Sequence, residues 1–358
     1  MPVGTAGSVK GLSPAEIRAA GTQILLANTY HLMLRPGAAR LRRLGGLHRM
    51  MAWDGPILTD SGGYQILSLR DRAVIREDGV EFRSHLDGAL ELLTPERAME
   101  VQADIGADIA VSLDHAVLLP VEPAVAREAG ERSIRWAERS LKRGRELSTP
   151  TGAPQHFFAI VQGAGDPALR REMAERTAAL ECDGFAIGGL SVGETKDATW
   201  TLARAVTAAL PDRKPRYLMG MGTPLDLLDA VALGVDLFDC VLPTRNARNG
   251  MAFTPDGPIN IRNAVHADDP APLDSACRCE ACALFGRAYL RHLHQAGEIL
   301  AHRMLTLHNL TFYQTLMSEA RAAIGRGAFE EFAGSFRARY RDRAHEDDPP
   351  DPSMKEPR

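Results

Sequence analysis

Short apolar runs, each closed by a polar residue or glycine, alternate with amphipathic stretches from the first residues to position 242. The runs fall at 2–5, 24–31, 56–63, 109–114, 157–163, 184–190, 217–222 and 237–242. Their β-branched and aromatic content and short length predict buried strands. The stretches between them carry helix-start signals: SPAEIRAAG offers Ser13 as N-cap with Pro14 in the first helical position, and TPERAMEVQADIG repeats the device with Thr94 and Pro95. Eight strands alternating with crossovers predict an α/β fold, a (β/α)8 TIM-type barrel. A doubly wound open sheet is the competitor, but the Gly-rich dinucleotide turn it commonly carries after its first strand is missing here.

Two segments break the alternation. Residues 74–93 contain the turn signals Asp78-Gly79 and Asp87-Gly88 between alternating apolar positions, so antiparallel hairpins are expected after the third strand. Residues 251–263 repeat the pattern after the eighth, and from Glu298 onward the apolar spacing is helical. The expected organisation is a catalytic barrel over 1–263, a C-terminal zinc-binding helical subdomain over 264–340, and an acidic, Pro-rich disordered tail over 341–358.

Composition narrows the partners. Hydrophobic residues at 45% and charged residues at 25% suit a soluble globular enzyme, and no apolar run approaches the roughly 20 residues of a membrane helix. The start, MPVGTAGSVKG, lacks the apolar core of a signal peptide, so a cytoplasmic location is expected. The net charge of −4 argues against whole-surface nucleic-acid binding but leaves room for a local basic patch.

In a barrel, residues that end strands meet at one mouth, where active sites lie. Asn28, Asp60, Asp114, Gln162, Gly189, Gly220 and Asp239 each close an apolar run. Asp239 is followed by an Arg-rich, Asn/Gly-containing loop, PTRNARNG, suited to phosphates or bases. Two carboxylates, Asp60 and Asp239, suit a nucleophile paired with a proton donor or acceptor, as in retaining glycosidic chemistry. With Asp114, Gln162, the amides of Gly188 to Leu190 and the flat ring of Tyr64, the set suits a purine-like base. A sugar site is the alternative these groups leave open. Cys277, Cys279 and Cys282 are clustered as CxCxxC, and a histidine on the following helical stretch, His302 or His308, would complete a closed tetrahedral zinc site.

TDSGGYQ, VQG, GGLSVGE, FDCVLPTRNARNG and the CxCxxC motif with its later histidine resemble the tRNA-guanine transglycosylase family, in its bacterial type. ANTYHLMLRPG, DGVEFRSHLDG and DGPINIRN also match, so the resemblance covers roughly 1–340. It implies exchange of the wobble guanine of GUN-anticodon tRNAs for 7-aminomethyl-7-deazaguanine (preQ1), in queuosine biosynthesis. Asp239 is similar to the family's nucleophile and Asp60 to its general acid/base. Base recognition falls on Ser61, Tyr64, Asp114, Gln162, Gly189, Leu190 and Met219, with Glu194 supporting a backbone amide that turns between donor and acceptor. Arg245 and Arg248 match positions that read flanking uridines. The resemblance selects His308 as fourth ligand of one structural Zn²⁺ and implies a homodimer.

Departures from the family pattern are local. An N-terminal antiparallel segment usually precedes MPVGT, and here Met1 lies inside the first expected strand. The cysteine usual near the base is Ala116, which makes the pocket roomier, and a lysine usual after the seventh strand is Thr223. Val192 is the bacterial-type choice that accompanies the small aminomethyl base. The alternatives are a queuine-salvaging enzyme, a transglycosylase acting on DNA, and a non-catalytic partner subunit; retention of Asp60 and Asp239 argues against the last.

Overall fold

A computed structural model describes residues 1–63, 65 and 73–341. Tyr64 and the expected tail from 342 onward lie outside the described residues. The chain divides into two compact units, Met1–Val9 with Thr22–Val241, and Lys10–Gly21 with the chain from Leu242 onward.

The first unit holds eight parallel strands in one sheet: β1 (Val3–Gly4), β2 (Leu25–Ala27), β3 (Ile57–Thr59), β7 (Ile109–Val111), β8 (His156–Val161), β9 (Gly184–Ile187), β10 (Arg216–Leu218) and β11 (Leu237–Phe238), paired in that order. A parallel bridge between Pro2 and Cys240 joins the first edge to the last, which closes the barrel and removes the open-sheet alternative. Leu26, Leu58, Val111, Phe158, Ile160, Ala186 and Tyr217 fill the interior. Between β3 and β7 a three-stranded antiparallel sheet is inserted, β4 (Ala73–Ile75), β5 (Val80–Arg83) and β6 (Leu90–Leu93), where the turn signals predicted hairpins. It packs Val80, Phe82 and Leu93 against Trp136, Leu113 and Tyr30.

The crossover helices start as their sequences dictate. Thr94, Asp166 and Thr223 each accept a backbone N–H in the first turn, with Pro95, Pro167 and Pro224 next in line. The run 24–31 reads as strand throughout, yet the strand stops at Ala27 and Thr29–Leu32 is helical. The reason is Asn28, whose side chain accepts from His31 N (3.0 Å) and caps that turn.

In the second unit, β12 (Met251–Thr254) and β13 (Gly257–Asn260) form the expected hairpin, and the helix Ile299–Gly325 is the longest element. Buried Asn309 on that helix accepts from Phe253 N (2.9 Å) and donates to the carbonyls of Pro243 (3.0 Å) and Met251 (2.9 Å). Ser13 heads the helix Pro14–Ala19 with a full capping box to Glu16, and Glu16 also pairs with Arg303. The segment expected as an Arg-rich loop is a helix over Leu242–Arg248; Pro243 suits its first turn, and Gly250 at φ +84° terminates it. Among the described residues no helix is long and apolar enough to cross a membrane.

Candidate active site

Because the barrel strands are parallel, the residues following them share one rim. Asp60, immediately after β3, is buried and held from several sides. Asn28 Nδ2 donates to its Oδ2 (2.7 Å), Thr29 N to its Oδ1 (3.0 Å) and Gln65 Nε2 to its Oδ2 (3.2 Å). The Thr29 hydroxyl donates to its main-chain carbonyl. Burial, aided by the charge of Asp239, pushes the Asp60 carboxyl up to about 7 against the lowering effect of these donors. A carboxyl so tuned exchanges its proton near neutral pH.

Asp239 follows β11 and is half-exposed. Its Oδ1 accepts from the Tyr217 hydroxyl (2.5 Å) and from Gly220 N (2.8 Å). No group among the described residues donates to Oδ2. Tyr217 is fully buried, and burial together with the Asp239 carboxylate holds its phenol well above the ordinary range, so it stays a donor. The carboxylate is thus fixed by one oxygen and presents the other.

A second group gathers around Asp114, after β7. Its Oδ2 accepts from Gln162 Nε2 (2.6 Å) and its Oδ1 from the Ser61 hydroxyl (3.4 Å). Burial pushes this carboxyl up to about 6, against the lowering effect of Gln162 and Ser61. Gln162 lies flat on the turn after β9: a Cβ on Gly189 would sit 2.3 Å from Gln162 Oε1, and Gly189 has φ +61°, so only glycine serves there. Leu190 is buried beside it, and Met219, after β10, is partly buried against the barrel core. Further along the same turn, Glu194 accepts from Ser191 N and from Val192 N (3.0 Å), and from the Thr199 hydroxyl (2.9 Å). Burial works against the ionised form of Glu194, but these amides hold its carboxyl below the usual range.

Of the residues expected at the mouth, Asp60, Ser61, Asp114, Gln162, Gly189, Leu190, Met219, Glu194 and Asp239 all follow β3, β7, β8, β9, β10 or β11. Arg245 and Arg248 belong to the second unit, on the helix Leu242–Arg248, where Arg248 donates to Thr244 O (2.9 Å). Sequence reading missed Tyr217 and Arg170. Tyr217 had a signal, since it shares a strand face with Met219 two residues on. Arg170 had none: a guanidinium without exposed surface that donates to main-chain carbonyls looks like any helical arginine in sequence.

The second unit holds a separate cluster. The ligand atoms of Cys277, Cys279, Cys282 and His308 lie within 4.8 Å of one another. His308 Nδ1 is 3.3 Å from Cys282 Sγ and 3.7 Å from Cys279 Sγ. Thiolates and imidazole around a tetrahedral ion stand ~3.5–3.8 Å apart, so the donors fit a metal ion. His308 Nε2 donates to Phe253 O (2.8 Å), which leaves Nδ1 with its lone pair toward the cysteines. His302 is elsewhere, edge-on to His294 at 5.2 Å between ring centroids.

The same chain matches the family model described as queuine tRNA-ribosyltransferase over residues 1–342. It is 52% identical to a queuine tRNA-ribosyltransferase of Sphingopyxis alaskensis over 95% of this chain and 91% of the relative. A protein of the same name from Zymomonas mobilis is 51% identical over 95% of this chain and 88% of its own length. A third, from Caulobacter vibrioides, is 50% identical over 95% and 91%. With a family match across nearly all of its length and relatives at about half identity, the chain belongs to the queuine tRNA-ribosyltransferase family of enzymes.

Proposed function

We propose that this enzyme exchanges the wobble guanine of GUN-anticodon tRNAs for 7-aminomethyl-7-deazaguanine by double displacement. Asp239 attacks the ribose anomeric carbon, the C1′–N9 bond breaks, and a covalent ribosyl-aspartate forms. Asp60 supplies a proton to the departing guanine and later takes one from the incoming base. One glycosidic bond replaces another with retained configuration, so no nucleotide cofactor is needed. The observation that carries this reading is the division between the two carboxylates. Asp239 is fixed through one oxygen by Tyr217 and Gly220, while Asp60 is enclosed and tuned to about 7.

Recognition of the base follows from donor and acceptor types. Asp114 accepts from the N–H edge, Gln162 and the amides of Gly189 and Leu190 hold the carbonyl edge, Ser61 braces Asp114, and Met219 flanks the ring. Glu194 holds the Ser191 amide, so the Leu190 carbonyl on the same peptide faces the other way and suits a base bearing an aminomethyl group. Arg245 and Arg248 read the uridines on either side of the target, which is turned out of its stack.

The Cys277, Cys279, Cys282 and His308 cluster binds one structural Zn²⁺, which would brace the second unit and take no part in the chemistry. Chelation is expected to lower the melting temperature and release one zinc per chain; no change in stability on metal removal would end that assignment. The enzyme acts in the cytoplasm as a homodimer, a reading supported by exposed Leu284, Tyr289 and Ile299 on the second unit.

The deciding experiment offers radiolabelled guanine, 7-aminomethyl-7-deazaguanine and queuine in parallel with a tRNA carrying a UGU anticodon loop and with a DNA of the same sequence. Uptake of guanine and the aminomethyl base into tRNA is expected, with Val192 restricting the pocket. Queuine uptake would favour the larger base, which the small buried side chain of Ala116 admits. Incorporation into DNA alone, or none at all, would replace this reading by one of the alternatives.

A further inference from the structure

Arg170 stands in the first turn of the helix Pro167–Ala178 and has no exposed surface. A guanidinium buried this deeply is ordinarily paired with a carboxylate. Among the described residues none lies in ion-pair contact with it. Its Nε donates to Ala164 O (2.7 Å), and its two terminal nitrogens donate to Gly188 O (2.9 Å) and Gly189 O (2.5 Å). Burial, opposed by the charge of Glu194, brings its pKa down only to about 10, so it remains a cation at neutral pH.

Two successive carbonyls therefore face one positive charge, an arrangement hinged at Gly189 with φ +61°. In a trans peptide the N–H points opposite to the C=O. The N–H groups of Gly189 and Leu190 consequently point away from Arg170, and neither donates to any group among the described residues. Gln162, which lies against both glycines and bonds to Asp114, marks the side where a base edge would sit. A cation behind two peptides polarises them, and an aligned pair of amides is a site for negative charge.

We propose that Arg170 is a positioning residue for base departure, making the amides of Gly189 and Leu190 a charge-stabilising pair for the carbonyl oxygen of the leaving purine. The inference rests on the transglycosylase reading above. As the Asp239 Oδ–C1′ bond forms and the C1′–N9 bond breaks, the bonding electron pair passes to N9 and spreads through the ring onto the carbonyl oxygen. The Asp60 proton then neutralises the base. Until it arrives, the charge on that oxygen is met by two preorganised donors whose orientation Arg170 maintains.

The test is single-turnover release of base from tRNA carrying either guanine or 8-azaguanine at the target position, comparing the full wild-type chain with Arg170→Gln. The aza base has the more acidic ring N–H and depends less on stabilisation of its anion. For guanine the variant is expected to lose on the order of 100-fold in rate, with tRNA KM within about twofold of wild type. For 8-azaguanine the loss should be only about tenfold. Equal losses for the two bases would mark Arg170 as a merely structural support and overturn the inference. If the glutamine variant does not fold, Arg170→Lys serves, with the same inequality between bases required. Failure of the wild-type chain to release either base would instead overturn the transglycosylase reading, and this inference with it.

Discussion

Asp60 and Asp239 are the same residue type at the ends of barrel strands, but their surroundings differ in kind. Asp60 is enclosed, with donors from Asn28, Thr29 and Gln65 spread over both oxygens. Asp239 is half-exposed, with the donors of Tyr217 and Gly220 confined to one oxygen. Enclosure raises the cost of charge and makes a proton carrier, whereas anchoring by one oxygen keeps the other available for attack. Environment, more than residue identity, assigns the roles proposed for them.

The largest effect should come from erasing the difference at Asp239. Asp239→Asn keeps the shape and the hydrogen-bonding oxygen but removes the charge of the proposed nucleophile. Covalent capture of tRNA, followed on a denaturing gel, is expected to vanish, and exchange to fall by about 10⁴-fold or more. Capture at the wild-type level would mean that Asp239 is not the nucleophile, and the comparison would collapse.

Asp60→Asn should cost less, on the order of 10²–10³-fold, because nucleophilic attack survives without proton transfer. Its pH signature is sharper than its magnitude. With the carboxyl at about 7, base release, which needs the protonated form, should decline as pH rises through 7, while attack by the incoming base should accelerate over the same interval. Both limbs should disappear in the asparagine variant. The same shift has a consequence for stability: between the ordinary aspartate value and about 7 the folded chain holds a proton that the unfolded chain has released. The Asp60 contribution to stability is therefore lost as pH rises across that window and stays lost above it. A wild-type release rate that is flat from pH 6 to 8 would remove Asp60 as the proton carrier.

How far these features were legible in the sequence follows from how local their causes are. The strands, the hairpins and the capped helices rest on periodicity and turn chemistry within a few residues, and Asp60 and Asp239 announce themselves by closing apolar runs. The CxCxxC triplet is local too, but its fourth ligand lies 26 residues from Cys282, and spacing did not choose between His302 and His308. Contacts made across the barrel left less trace. Tyr217 meets Asp239 22 residues away and Arg170 meets Gly188 18 residues away, in each case through a buried polar atom whose partner sits on another strand or turn. The helix Leu242–Arg248 was hidden for another reason, since Pro, Asn and Gly bracket it closely enough to resemble a loop.

Tyr217→Phe is the gentlest way to probe the comparison, because it leaves both carboxylates in place and removes only one donor from Asp239 Oδ1. A hydrogen bond to a charged group is worth about 1.5–3 kcal/mol, but Gly220 N still holds the same oxygen. The expected loss in the rate of covalent capture is therefore about tenfold, the lower end of that range. Tyr217 is buried in β10 and the phenyl ring fills the same space, so tRNA KM and the melting temperature should move little. The limbs of the pH profile that belong to Asp60 should stay where they are. A variant that captures tRNA at the wild-type rate would show that Gly220 alone orients the nucleophile. One that shifts the Asp60 limbs would show that the two carboxylates are coupled through the phenol and cannot be treated as separately tuned sites.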